Sequence, residues 1–152
     1  MKINVVAVGK IKEKFFTDAI AEYQKRLSRF CEFKIVEVPE ATNYKNLTEK
    51  SHIEGELLLA KSKGYVVALD GKGKSFSSEE IATTINDNMV NGISEMSFII
   101  GGSNGLSKEL LNKSNLIISF GKITFPHQLF RVVLSEQIYR AFTIINGMPY
   151  HK

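Results

Sequence analysis

A single cysteine, Cys31, stands among the 152 residues, which excludes an intramolecular disulfide and a thiolate metal cluster. The three histidines, His52, His127 and His151, are scattered without H-x-x-x-H spacing, so no metal site is expected. Long hydrophobic runs are missing too: stretches such as Tyr65 to Leu69 are far too short to cross a bilayer. The N-terminal Met1-Lys2-Ile3-Asn4-Val5-Val6-Ala7-Val8-Gly9 lacks the apolar core and small-residue cleavage site of a signal peptide. It alternates as a strand does, and a cytoplasmic location is expected. Internal repeats, linkers and low-complexity tracts are also absent. One domain spanning residues 1–152 is expected, long enough to bury a core without covalent staples.

What is present is ordinary in bulk. Hydrophobic residues at 43% and charged residues at 24% suit a folded globular chain. The net charge of +4 leans basic without reaching the level of a dedicated nucleic-acid binder. Basic residues cluster locally at Lys10, Lys12 and Lys14, at Lys25, Arg26 and Arg29, and at Lys72 and Lys74. Such clusters fit contact with phosphate and fit an ordinary solvated surface equally well.

Strand and helix signals alternate along the chain. Ile3 to Val8 reads as a strand, Phe15 to Phe30 as an amphipathic helix, and Phe33 to Val38 as a strand closed by Pro39. Ala41 to Leu47 reads as a polar loop and Thr48 to Lys61 as a helix. The continuous apolar run Tyr65 to Leu69 is the pattern of a central parallel strand buried on both faces. Asp70 to Phe76 reads as a loop; Ser77 with Glu80 then forms a capping box for a helix ending near Gly92. Ser97 to Ile100, Ser107 to Asn112 and Leu116 to Ser119 follow as strand, short helix and strand, with a last helix from His127 to Ile145. This order predicts an α/β fold with a mostly parallel sheet covered by helices.

Two phosphate-binding motifs are approached and missed. Gly71-Lys72-Gly73-Lys74-Ser75 resembles the end of a P-loop, but the first glycine of that pattern falls on Ala68. A nucleotide triphosphatase is therefore disfavoured. Gly101-Gly102-Ser103-Asn104-Gly105 approaches the dinucleotide fingerprint, but its middle glycine falls on Ser103. What remains is a glycine-rich bend after one strand, the bend Phe120-Gly121-Lys122-Ile123-Thr124-Phe125-Pro126-His127 after the next, and a closing helix. Bends at adjacent strand ends of an α/β sheet are where a small ligand is usually held.

Four segments in order carry a family resemblance: Ile99-Ile100-Gly101-Gly102-Ser103-Asn104-Gly105-Leu106, Thr124-Phe125-Pro126-His127-Gln128-Leu129-Phe130-Arg131-Val132, Glu136-Gln137-Ile138-Tyr139-Arg140-Ala141 and Pro149-Tyr150-His151-Lys152. Over the whole chain the sequence resembles the bacterial ribosomal RNA large subunit methyltransferase H family of the SPOUT superfamily. The resemblance implies a deep C-terminal trefoil knot, a rare exception to unknotted topology. It further implies a homodimer and S-adenosyl-L-methionine bound in the knotted crevice. The implied reaction is methylation of N3 of a pseudouridine in 23S rRNA on the assembled ribosome, with no membrane or metal involved. The cofactor crevice it implies is lined by Leu69, Gly101, Phe120, Gly121, Lys122, Ile123, Thr124 and Phe125. The glycines there either admit a flat adenine or simply make turns.

Methyl transfer needs a lone pair in line with the methyl group, and N3 of pseudouridine has one only after losing its proton. The candidates for removing that proton or stabilising the anion are His127, Arg131, Glu136, Arg140, Tyr150 and His151. His127 falls at the start of the last helix, where the dipole disfavours its charged form; it serves there as a base or as a structural histidine. Arg131 and Arg140 lie in a strongly apolar helix, expected to be buried against the sheet and a dimer partner, and need a partner or a ligand. Glu136 is one turn from Arg140, and a structural ion pair between them is the simplest arrangement. The Tyr150-His151 ending is expected to be a functional tail reaching the partner protomer's site. With no appended RNA-binding module, recognition by shape and by surrounding ribosome surface is expected, so free rRNA should be a poor substrate. The competing function is a ribosome-associated RNA-binding factor without catalysis.

Overall fold

The computed structural model describes all residues from Met1 to Lys152. Five strands form one wholly parallel sheet: β1 (Lys2–Val8), β2 (Glu32–Val38), β3 (Tyr65–Ser75), β4 (Glu95–Ile100) and β5 (Leu116–Ser119). Five helices connect and close it: α1 (Lys14–Leu27), α2 (Leu47–Lys61), α3 (Ser78–Val90), α4 (Lys108–Lys113) and α5 (His127–Ile145). The strand order is β2-β1-β4-β3-β5. Short polar caps start three helices: the side chains of Asn46, Ser77 and Ser107 accept from the amides of Glu49, Glu80 and Leu110.

The two faces of the sheet are covered by different helices, and the period-two alternation of β1 decides which residue goes where. Ile3, Val5 and Ala7 join Phe98, Leu27 of α1, Ile81 and Ile85 of α3, and Leu134, Ile138 and Phe142 of α5 in the larger cluster. Val6 and Val8 join Ile99, Leu58 of α2 and Leu110 of α4 in the smaller one. A three-layer sandwich results, with α5 packed against α1 and α3.

Two boundaries differ from expectation by more than two residues. The first helix stops at Leu27 instead of Phe30, because Ser28 to Phe30 turn so that Phe30 can stack on Phe142 with ring centroids 5.8 Å apart. The segment 70–75 is not a simple loop. β3 pairs with β5 through Leu69 and Ile118, bulges outward, then returns to pair Lys74 with Ile118 and Ser75 with Ser119. Gly73 makes this return possible: a Cβ there would lie 2.8 Å from the main chain of Ile117 and Ile118. Because Lys72 to Ser75 belong to this bulged strand, no phosphate-cradling loop forms at the near-miss P-loop.

Candidate active site

All five strands run the same way, so their C-terminal ends share one edge of the sheet. At that edge Leu69, Asp70, Gly71, Ile118, Ser119, Phe120, Gly121, Ile123, Phe125 and Phe130 enclose a crevice of about 110 Å³. Phe125 stacks on Phe130 with centroids 5.6 Å apart, and Phe120 meets the same ring edge-on at 5.0 Å. Gly121 turns the chain at φ +105° after β5, a conformation L side chains rarely adopt. The Ser119 hydroxyl fixes this turn by accepting from the Gly121 amide at 3.2 Å and donating to its carbonyl at 3.0 Å.

Phe120 and Phe125 also wall a second recess of about 310 Å³, continued by Phe76, Ser77, Ser78, Ile81, Val133 and Gln137. Along one side of this recess runs a chain of hydrogen bonds. The Ser78 hydroxyl donates to Gln137 Oε1 at 2.6 Å, and Gln137 Nε2 donates to Glu136 Oε1 at 3.0 Å. Arg140 grips both Glu136 oxygens, through Nε at 3.2 Å and Nη2 at 2.9 Å, while the Tyr150 hydroxyl donates to Oε2 at 2.8 Å. Arg140 Nη1 lies 3.1 Å from His151 Nδ1, and His151 Nε2 lies 2.6 Å from Glu79 Oε1. The tail is thus folded onto its own α5 and α3. Burial first, and the bond to Glu136 second, push the Tyr150 phenol up to about 12.

Of the eight expected cofactor residues, Leu69, Phe120, Gly121, Ile123 and Phe125 meet in the crevice. Lys122 and Thr124 are exposed beside it, and Ile123 presents its side chain at 75% exposure. Gly101 stands at the neighbouring end of β4, where a Cβ would lie 2.9 Å from Gly105 and Leu106; its bareness closes the turn Gly101 to Gly105. Of the six expected chemical residues, Glu136, Arg140, Tyr150 and His151 come together, and the expected Glu136–Arg140 pair is present.

Arg131 and His127 are placed elsewhere. Arg131 is fully buried and reaches the ends of β1 and β2, donating to Glu37 at 2.7 Å and to the carbonyls of Val8 and Gly9 at 2.7 and 2.8 Å. His127 opens α5 near Glu40, whose carboxyl is held below the usual range by Lys50 first and, more weakly, by His127 and Lys12. Sequence reasoning missed Ser78, Glu79 and Gln137, which show no motif of their own. The capping residues around Ser77 were the only signal that this helix start had a fixed position.

Other sites are excluded by chemistry. The largest concavity, about 1040 Å³, is an open cleft between α2 and α4 with only 2 hydrophobic residues among its 12. Burial pushes the Cys31 thiol up to about 12, so it presents no thiolate. No cluster of three potential metal ligands occurs, and no helix is long and apolar enough to cross a membrane.

Comparison with known proteins assigns the chain to a family. The family model described as "Predicted SPOUT methyltransferase" matches residues 1–151. The chain belongs to the SPOUT methyltransferases. Within them it is 54% identical to Ribosomal RNA large subunit methyltransferase H of Limosilactobacillus reuteri strain DSM 20016, over 100% of both chains. It is 48% identical to the protein of that name in Streptococcus pneumoniae strain CGSP14, again over 100% of both chains. In fold it is similar to a solved probable methylase family protein from Haemophilus influenzae Rd KW20, with TM-score 0.57 at 12% identity, covering 99% of this chain and 70% of that one. SPOUT methyltransferases use S-adenosyl-L-methionine as methyl donor.

Proposed function

We propose that this chain methylates N3 of a pseudouridine in 23S rRNA, as a cytoplasmic homodimer acting on the assembled ribosome. The observation that carries the reading is the juxtaposition of an apolar, aromatic crevice with an adjoining recess whose Ser78 and Gln137 lead by hydrogen bonds to Glu136, Arg140 and Tyr150. The methyltransferase H relatives, alike over their full length, support rRNA as the substrate.

The donor set fits S-adenosyl-L-methionine. The crevice of about 110 Å³ is apolar and aromatic, and Phe120 and Phe125 wall both it and the recess of about 310 Å³, so the two spaces adjoin. Leu69, Ile118, Phe120 and Phe125 would hold the flat adenine, and main-chain groups around Gly121 would read its polar edge. Bound there, the cofactor supplies an electrophilic methyl group. The reading includes the knotted C-terminal segment that membership of this family implies. Half-buried Val132, Val133, Ile144 and Ile145 on α5 support a further surface for a second copy.

The protein's task is to let a poorly nucleophilic nitrogen lose its proton beside that methyl group. Arg140 and His151, connected to the recess through Glu136 and Gln137, are the groups assigned to the nucleobase in this reading. The guanidinium stabilises developing negative charge on the base, and His151 accepts the proton. Pre-fixing both through Glu136 lowers the reorganisation needed during the reaction.

The test is to incubate the purified protein with methyl-labelled S-adenosyl-L-methionine and ribosomes from cells lacking the activity, then map the label. Label on a 23S rRNA pseudouridine, with little on naked rRNA, is expected. Cofactor binding without transfer to any ribosomal RNA would overturn the substrate; no cofactor binding would overturn the enzyme.

A further inference from the structure

The basic clusters of the sequence are engaged differently in the fold. Arg26 is held by Glu22 at 2.8 Å, and Arg29 lies over the Phe30 ring, 5.0 Å from its centroid. Lys74 lies over Phe76 at 5.9 Å, and Lys14 pairs with Asp18 at 2.6 Å. Lys10 and Lys12 are exposed and belong to no ion pair. A paired lysine must give up its carboxylate before it reaches another anion; these two give up only water.

The loop that carries them, residues 9–13 between β1 and α1, is nevertheless tied down by its main chain. The Gly9 amide donates to the Val38 carbonyl at 2.8 Å. The amides of Ile11 and Lys12 donate to Glu37 Oε2 and Gln128 Oε1, each at 3.3 Å. From below, the buried Arg131 donates to the carbonyls of Val8 and Gly9 and to Glu37. The nearby carboxylates are already compensated, Glu37 by Arg131 at 2.7 Å and Glu40 by Lys50 at 2.8 Å. Glu13 is the one acidic residue of the loop itself. The backbone is thus fixed while both amines stay free.

The start of α5 connects this loop to the site. Phe130 lines the apolar crevice, whereas Gln128 and Arg131 hold the loop. Loop and crevice therefore flank one helix, whose width is about 10 Å. A nucleic-acid strand advances roughly 3.4 Å per nucleotide, so a few nucleotides span that separation. We infer that Lys10 and Lys12 form a docking lip for the RNA backbone, contacting phosphates of nucleotides that flank the target. The inference rests on the reading that rRNA is the substrate, and it adds the surface that holds it. Phosphate contacts of this kind fix register and orientation and carry no sequence information.

The experiment measures methyl transfer and equilibrium binding on ribosomes from cells lacking the activity, at several salt concentrations. It compares the full-length protein with the double variants Lys10→Ala/Lys12→Ala, Lys10→Arg/Lys12→Arg and Lys61→Ala/Lys63→Ala. The last is a matched control: two exposed, unpaired lysines at the same spacing, where α2 leads into β3 at the opposite edge of the sheet. Lys10→Ala/Lys12→Ala should raise KM for ribosomes about tenfold, with kcat, cofactor affinity and thermal unfolding unchanged. Its plot of log affinity against log salt should be shallower by about 1.4 to 1.8, the loss of two phosphate contacts. The arginine variant should keep the normal KM and slope, and so should the control. A normal KM and slope in the alanine variant, or an equal loss in the control, overturns the inference. Weaker binding with an unchanged slope overturns it too, because the lysines would then touch something other than phosphate. If the unsubstituted protein transfers no methyl group to ribosomes, the reading of the site falls, and the salt slopes of binding still decide the role of the loop.

Discussion

Arg131 illustrates how one residue is settled by its burial. It is fully buried, and desolvation, opposed by Glu37, pulls its guanidinium below its ordinary range. Such a charge survives in the interior because Glu37 and two carbonyls take hydrogens from both Nη atoms, although the buried Nε has no partner. These bonds join the second turn of α5 to the ends of β1 and β2, and so fix the helix that follows the crevice-forming bend. Replacing it by methionine fills similar space but leaves the Val8 and Gly9 carbonyls without a partner. Arg131→Met should lower stability by about 2–3 kcal/mol, with Glu37 partly rehydrated. Urea unfolding measures this directly; unchanged stability would show that the clamp has no net effect. From the sequence, Arg131 could be seen to need a partner or a ligand, but Glu37 lies 94 positions away. The i+4 pair Glu136–Arg140, by contrast, was legible because helix geometry alone brings those two side chains together.

At the scale of elements, the βα alternation and its parallel sheet were readable because strands and helices have different apolar periods. The order β2-β1-β4-β3-β5 was not, since it depends on which crossover passes over which face. The return of β3 was hidden for a local reason. Gly71 and Gly73 interrupt the apolar pattern and read as a loop, whereas the second glycine is there to let one main chain lie against another. That contact sets where β5 ends, and the crevice is formed by the residues immediately beyond it. Gly73→Ala would place a methyl 2.8 Å from the main chain of Ile117 and Ile118. Strand separation at that point should cost about 1–3 kcal/mol and weaken cofactor binding more than it weakens the fold. Calorimetric titration beside urea unfolding tests this, and full cofactor affinity in a destabilised variant would uncouple the bulge from the crevice.

For the molecule as a whole, the decisive arrangement is the separation of the apolar crevice from the tail, which docks on α3 and α5 outside the lining of either cavity. No residue from Met148 to Lys152 lines the crevice of Leu69, Phe120 and Phe125. The tail instead ties α3 to α5 through Glu79, Arg140 and Glu136. Its contacts are the edge-on packing of Tyr150 on Tyr139 at 4.8 Å and hydrogen bonds on the outer side of α3 and α5, and no tail residue belongs to either core cluster. The family resemblance pointed to a functional tail, but a stretch this short has no periodicity from which its docking place could be read. Deleting Tyr150 to Lys152 should therefore leave the unfolding curve and S-adenosyl-L-methionine affinity nearly unchanged while abolishing methyl transfer to ribosomes. Paired binding and transfer measurements on the truncated protein decide the matter. Loss of cofactor affinity would mean that the tail supports the crevice itself, whereas retained transfer would remove Tyr150 and His151 from the chemistry.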